Sequence, residues 1–207
     1  MLTHNWPSPG RPSRVVVVGA TGFIGEAITR HLQSGGLNVL ALGRNEIDLL
    51  DADASKHLAD FLNTADVLVT VAAIAPVKSP AMLCENIKII SAIAQAIEEK
   101  PVSHVVNIGS DAIFADSSAA LTEESSCEPS SLHGVMHYTR ELMLAEAAGS
   151  TPFATVRPTL VYGLHDPHNG YGPNRFLRLA LAKEAITLFG EGEERRDHVW
   201  VEDVAEL

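Results

Sequence analysis

The sequence predicts an α/β domain in which a doubly wound parallel sheet carries helices on both faces. Three observations predict it. From Arg14 onward, short apolar runs alternate with longer stretches of helical periodicity, the pattern of successive strand–helix–strand units. The first run, RVVVV at 14–18, is β-branched throughout, as befits a strand buried on both faces. It leads directly into a glycine-rich turn that opens a helix.

The elements follow in order. After the turn, FIGEAITRHLQSGG places Ile24, Ile28 and Leu32 at helical spacing and stops on Gly35 and Gly36. NVLAL (38–42) reads as a second strand, EIDLL (46–50) as a short third, ASKHLADFL (54–62) as a helix and DVLVTVAA (66–73) as a fourth strand. The stretch 84–99 carries apolar residues at 87, 90, 93, 94 and 97, a helix with one face on the sheet. VSHVVNIGS (102–110) is a fifth strand with its exit, 115–130 a polar surface loop and 133–148 a helix. FATVRPTLVYG (153–163) is a sixth strand and the turn after it. Beyond it the composition shifts to a Gly/Pro/His/Asn loop (164–174), a helix (RFLRLALAKEA), the polar GEGEERRD and a last apolar strand start. The expected division is a flexible lead-in at 1–13, a nucleotide-binding domain at 14–163 and a partial substrate lobe at 164–207.

Composition sets the class. The chain has 207 residues, 46% hydrophobic and 20% charged, which suits one globular domain with part of a second. A net charge of -11 excludes the basic face that displaces counterions from nucleic acid, so no nucleic-acid partner is expected. Two separated cysteines, Cys84 and Cys127, read as reduced thiols of a cytoplasmic protein. The first residues have no apolar signal core, and no run reaches the roughly 18 apolar residues of a membrane span. No membrane partner is expected.

Gly19-x-x-Gly22-x-x-Gly25 follows a strand and begins a helix. Gly19 allows the tight turn, Gly22 lets backbone approach a pyrophosphate, and Gly25 allows helix and strand to pack closely. The phosphates would sit on the helix N-terminus, where unpaired N–H groups and the macrodipole favour anions. This is a Rossmann-like dinucleotide site. After the second strand, LALGRN puts Arg44 where an acidic residue would hold a ribose 2'-hydroxyl, which favours NADP over NAD; the competing reading is an exposed loop arginine. Asp51 either meets the adenine edge or ends the short third strand.

Five blocks in sequence order then resemble the extended short-chain dehydrogenase/reductase family, the NAD(P)-dependent epimerases and dehydratases. They are GATGFIG (19–25), VAA (71–73), GSDAIFAD (109–116), RPTLVYG (157–163) and ITLFGEGEERRDHVWVEDVAEL (186–207). The resemblance implies a cofactor surface of Gly19, Thr21, Gly22, Phe23, Ile24, Gly25, Ala72, Ala73 and Pro158. It implies that Ser110 binds the reacting oxygen and that Asp111, Asn174 and Arg196 meet the substrate, the last two at a nucleotide-sugar's phosphates. For the latter two the competing readings are a turn residue after Pro173 and an arginine paired with an acid such as Glu194. Members of the family usually continue further, so a truncated substrate lobe is expected, and a homodimer through the helices flanking the sheet is compatible with the resemblance.

The departure from the family lies at residues 133–137. The resemblance calls for Tyr-Gly-x-x-Lys, and the chain has HGVMH. His133 takes the tyrosine position and His137 the lysine position, with Gly134 in place. Tyr138 does not restore the pattern, because Thr139 and Leu142 stand where Gly and Lys are needed. An imidazole accepts a proton at neutral pH without a neighbouring cation, so His133 is a candidate base; His137 would hold the nicotinamide ribose. The function implied is an NAD(P)-dependent epimerase, dehydratase or reductase acting on a small-molecule substrate, sugar-like or otherwise hydroxyl-bearing. The rival is a cofactor-binding sensor or interaction protein without turnover, the histidines being helix-surface residues. A zinc site from His133 and His137 with His165 and His168 has the spacing, but no Glu follows the first His and no cysteine assists; no metal is expected.

Overall fold

The computed structural model describes residues 10–117, 119–168, 172–188, 190, 191 and 195–207. Residues 1–9 of the lead-in and Glu194 lie outside the described residues.

The element order is β1 (Arg14–Val18), α1 (Phe23–Ser34), β2 (Val39–Leu42), α2 (Ala54–Phe61), β3 (Asp66–Thr70), α3 (Pro80–Glu99), β4 (His104–Ile108), a single 3-10 turn (Asp111–Ile113), α4 (Leu132–Ala148), β5 (Phe153–Val156), β6 (Leu160–Tyr162), α5 (Pro173–Ala182), β7 (His198–Trp200) and α6 (Val201–Glu206). Strands β2-β1-β3-β4-β5 form one sheet in that order, every pair parallel. The fold is Rossmann-like.

The valine run of β1 shows why both faces are covered. Val16 and Val18 join the core under α2, α3 and α4, with Leu58, Ile90, Ile93, Met136 and Leu144. Val15 and Val17 join the core on the opposite face, with Ala27 and Ile28 of α1 and Val201 and Ala205 of α6. Alternate side chains of one strand therefore serve two cores.

Three sequence expectations are corrected. Residues 46–50 form no strand: Glu46 N and Ile47 N both donate to Gly43 O, closing a turn, while Ile47 and Leu49 are buried as loop plugs. Alternate burial imitated a strand without any ladder. The strand expected at 66–73 ends at Thr70, because Val71 N and Ala72 N both donate to Val18 O and the chain turns out of the sheet. The run 153–163 divides around Pro158, which has no N–H for a ladder: β5 stays in the main sheet, whereas β6 pairs with β7 in a separate parallel pair.

The far end of the chain returns to the main body. α6 packs on α1, with Val201, Val204 and Ala205 buried and Arg30 of α1 paired to Glu202. The composition boundary at 164 is thus not a packing boundary for α6. By contrast, α5 buries none of its residues.

Candidate active site

A cleft of about 840 Å3 opens at the carboxyl ends of the main-sheet strands. Its first wall is the turn after β1. Gly19 holds a φ of +90°, and a Cβ there would lie 2.5 Å from Ala72 N. A Cβ on Gly25 would lie 2.1 Å from Gly19 O, so α1 sits against the turn closer than any side chain permits. Gly22 is the N-cap of α1, extended and exposed, and no side chain caps this helix. α3 and α4, in contrast, are capped by Ser79 and Ser131. The first-turn N–H groups of α1 are therefore left for another acceptor, and with the missing Cβ atoms of Gly19 and Gly22 this is what a diphosphate needs.

Thr21, Phe23, Ile24, Arg44, Ala72, Ala73 and Pro158 also line the cleft. Gly25 supports the turn from beneath. Asp51 does not reach the cleft; Asp48, three residues earlier, lines it, its Oδ1 accepting from Leu50 N at 3.0 Å. The turn at 43–47 displaces the register assumed for an extended strand, and the acid that faces the cleft changes with it.

The second wall carries the polar groups. Ser110 follows β4; its Oγ accepts from Ala112 N at 3.1 Å and lies 3.3 Å from Asp111 Oδ1. It thus caps the 3-10 turn while lining the cleft. Burial pushes the Asp111 carboxyl above its ordinary pKa, against hydrogen bonds from Ser110 and the backbone that pull it down. The Ser131 cap starts α4, and a Cβ on Gly134 would fall 2.0 Å from Ala112 O. This contact seats the helix on the Ser110–Ala112 turn and brings His133 and His137 into the same cleft.

The two imidazoles meet edge to face, centroids 4.7 Å apart. Burial, then the charge of His168, lowers the His133 pKa, so His133 is unprotonated at neutral pH. Its Nδ1 faces Val77 N at 3.5 Å. His137 is only 8% exposed and is no helix-surface residue. Burial, with His133 and Arg140, pushes its pKa down to about 3. It supplies no positive charge.

Asn174 lines the cleft and donates from Nδ2 to Asp166 Oδ2 at 2.9 Å. Arg196 is not part of the lining. It pairs with Asp116 at 3.3 Å on the surface and lies near enough to favour the ionised form of Asp111. Among the described residues no three His, Cys, Asp or Glu groups converge as a metal set, and no helix is long and apolar enough to cross a membrane.

Sequence reasoning missed several cleft residues: Lys78, Tyr162, His198 and, behind the cleft, Asn107 and Arg140. Arg140 left a signal. Positions 136, 137, 140, 144 and 148 form the buried stripe of α4, and an arginine in such a stripe needs buried partners.

Comparison with known proteins places the chain. The family model for the NAD dependent epimerase/dehydratase family matches residues 15–207. The chain belongs to this family. Among curated relatives, the uncharacterized UDP-glucose epimerase YtcB of Bacillus subtilis is 26% identical over 165 residues, covering 75% of this chain and 50% of that protein. The dTDP-4-dehydro-6-deoxy-D-allose reductase of Streptomyces bikiniensis is 29% identical over 230 aligned positions, covering 92% of this chain and 69% of that protein. The chain thus spans half to about two thirds of these relatives' lengths. Among solved structures, MoeE5 in complex with UDP-glucose and NAD superposes with a TM-score of 0.79 at 25% identity, over 93% of this chain and 69% of that one. A GDP-L-fucose synthetase from Naegleria fowleri bound to NADP shares the fold with a TM-score of 0.76 at 19% identity. This epimerase/dehydratase relative therefore has neighbours with either dinucleotide.

Proposed function

We propose that this chain is the cofactor-binding and catalytic part of an NAD(P)-dependent epimerase, dehydratase or reductase acting on a nucleotide sugar. The observation that carries it is one cleft in which the uncapped glycine turn of α1 faces Ser110, Asp111 and His133. A nicotinamide ring bound there supplies reversible exchange of a hydride with a substrate carbon.

The chain's own residues do the rest. Backbone N–H groups of Phe23 and Ile24 in the first turn of α1 hold the diphosphate, and Thr21, Ala72, Ala73 and Pro158 shape the pocket around it. Arg44, exposed at the cleft rim beyond β2, pairs with a ribose 2'-phosphate, which makes NADP the preferred cofactor and NAD the weaker one. Ser110 orients the reacting hydroxyl or carbonyl oxygen. His133, unprotonated at neutral pH, takes the proton from that hydroxyl and returns it in the reverse direction. Asp111, held toward its protonated form, offers a second proton site on the same oxygen or its neighbour. His137 donates a neutral hydrogen bond to the nicotinamide ribose. Asn174 contacts the nucleotide-sugar phosphates.

The test is turnover of nucleotide sugars by the wild type and His133→Phe across pH. Expected are a loss of about 100-fold in the variant and a wild-type acid limb below the ordinary imidazole pKa, since a protonated base is inactive. A variant as active as the wild type contradicts the assignment to His133. The second reading, cofactor binding without turnover, is favoured by one observation, the absence of a cation at position 137. His133→Tyr with His137→Lys separates the two: an altered enzyme gains rate and a binding protein stays silent.

A further inference from the structure

Arg44 is exposed at the rim of the cleft, and none of the ion pairs among the described residues includes it. The reason is not a shortage of acids. Glu46 and Asp48 follow closely in the same stretch, yet each carboxylate is turned onto the backbone. Glu46 Oε2 accepts from Gly43 N at 2.8 Å, and Asp48 Oδ1 accepts from Leu50 N at 3.0 Å.

The bond at Gly43 closes the turn in both directions. Gly43 O accepts from Glu46 N at 3.2 Å and from Ile47 N at 3.0 Å, while the Glu46 side chain reaches back to Gly43 N, the reciprocal arrangement of a capping box. Gly43 is buried, so its N–H needs that acceptor. A Cβ on Gly43 would lie 2.4 Å from Thr21 Cγ2 and 3.1 Å from Glu46 Oε2, which leaves no room for a larger residue between the phosphate turn and the carboxylate. Ile47, buried in the core, pins the end of the turn. Arg44 and Asn45 are left as its exposed tip.

We infer that Glu46 is a positioning residue for cofactor choice: by accepting the Gly43 N–H it holds the turn at 43–47 and keeps its own carboxylate off Arg44, so that the guanidinium meets a phosphate monoester unpaired. The ligand group this fits is the 2'-phosphate of NADP, which a guanidinium fork binds through two parallel hydrogen bonds. A Glu46–Arg44 pair would have to be broken before that phosphate could bind. The negative charge of Glu46 is itself unfavourable beside a phosphate, so its contribution is the acceptor and not the charge. A glutamine at this position keeps the acceptor and removes the charge, and an alanine removes both. The inference rests on the role proposed above for Arg44.

The test is calorimetric titration of the full chain with NADPH and with NADH, for the wild type, Glu46→Gln, Glu46→Ala, Arg44→Ala and the double variant Arg44→Ala with Glu46→Ala. Amide exchange at Gly43 is read on the same proteins without ligand. Glu46 is exposed, so these substitutions leave the core intact. Expected in Glu46→Ala are faster exchange at Gly43 and a fall of about fivefold in the preference for NADPH, the factor that one hydrogen bond is worth. Glu46→Gln keeps both the preference and the protected amide. In the Arg44→Ala background, Glu46→Ala changes the preference no further, because it acts through Arg44. An undiminished preference in Glu46→Ala overturns the inference, and so does an equal loss in Glu46→Gln, which assigns the effect to charge. The cofactor reading fails by a different result, binding of neither dinucleotide by the wild type or a preference that Arg44→Ala leaves in place, and either one overturns the inference with it.

Discussion

On the β1–α1 side of the cleft the backbone packs against itself, whereas on the α4 side a network of side chains does the holding. At the first wall Gly25 rests on Gly19 O and Gly19 on Ala72, contacts that no side chain mediates. At the second, backbone contacts seat Gly134 over Ala112 O and tie Gly109 N to Val156 O and Asp111 N to Pro158 O, while the deeper layer is held by the side chains of Arg140, Asn107 and the histidine pair. Backbone contact fixes a cradle for a ligand recognised by its phosphates. Side-chain contact and burial fix protonation states, as at His137.

The first wall is the more sensitive of the two to substitution. Gly25→Ala puts a Cβ 2.1 Å from a carbonyl oxygen; the expected cost is about 3 kcal/mol with loss of dinucleotide binding, read by urea unfolding and fluorescence titration. Unchanged binding would mean that the turn does not form the phosphate cradle. At the second wall, Arg140→Met leaves Asn107 Oδ1 and Ala72 O short of a donor and is expected to cost about 2 kcal/mol, with dinucleotide affinity changed far less than in Gly25→Ala. Equal losses of affinity in both variants would erase the distinction between the walls.

Acid sharpens the contrast. His137 has a folded pKa of about 3, below its unfolded value, so the unfolded chain takes up a proton that the native state refuses. Stability is therefore full above the ordinary imidazole pKa and declines as pH falls toward 3, by up to about 1.4 kcal/mol per pH unit from this group. Denaturant unfolding at pH 7 and pH 5 should show that decline, and His137→Asn should make it shallower. The smallest effect belongs to α5: Leu181 is 75% exposed, and Leu181→Gln is expected to change stability by no more than about 0.5 kcal/mol. A larger loss in thermal unfolding would reveal burial that this chain alone does not provide.

Legibility in the sequence followed the same division. The valine strand, glycine turn and α1 were readable because every signal lies within about twenty consecutive residues and the glycines answer to local sterics. The second wall was readable only where a short block carried it, as at Ser110 and HGVMH. Arg140 and Asn107 stand 33 residues apart, and their hydrogen bond exists only once α4 lies over β4. The misplaced third strand has a physical cause as well. Ile47 and Leu49 alternate with polar residues as a half-buried strand would, yet the backbone is turning at Gly43. Alternation reports burial, not hydrogen bonding, and of the two readings of Asp51 the one at the adenine edge is not met, since Asp48 lines the cleft and Asp51 does not.

Under the proposed function, this cleft binds a dinucleotide with its 2'-phosphate against Arg44. A fluorescence titration of the purified chain with NADPH and NADH side by side, repeated with Arg44→Ala, tests it directly. Expected is saturable binding of both, tighter for NADPH, with the preference lost in the variant while NADH affinity stays the same. Binding of neither dinucleotide would contradict the cofactor site itself, and an NADPH preference that survives in Arg44→Ala would contradict the role of Arg44.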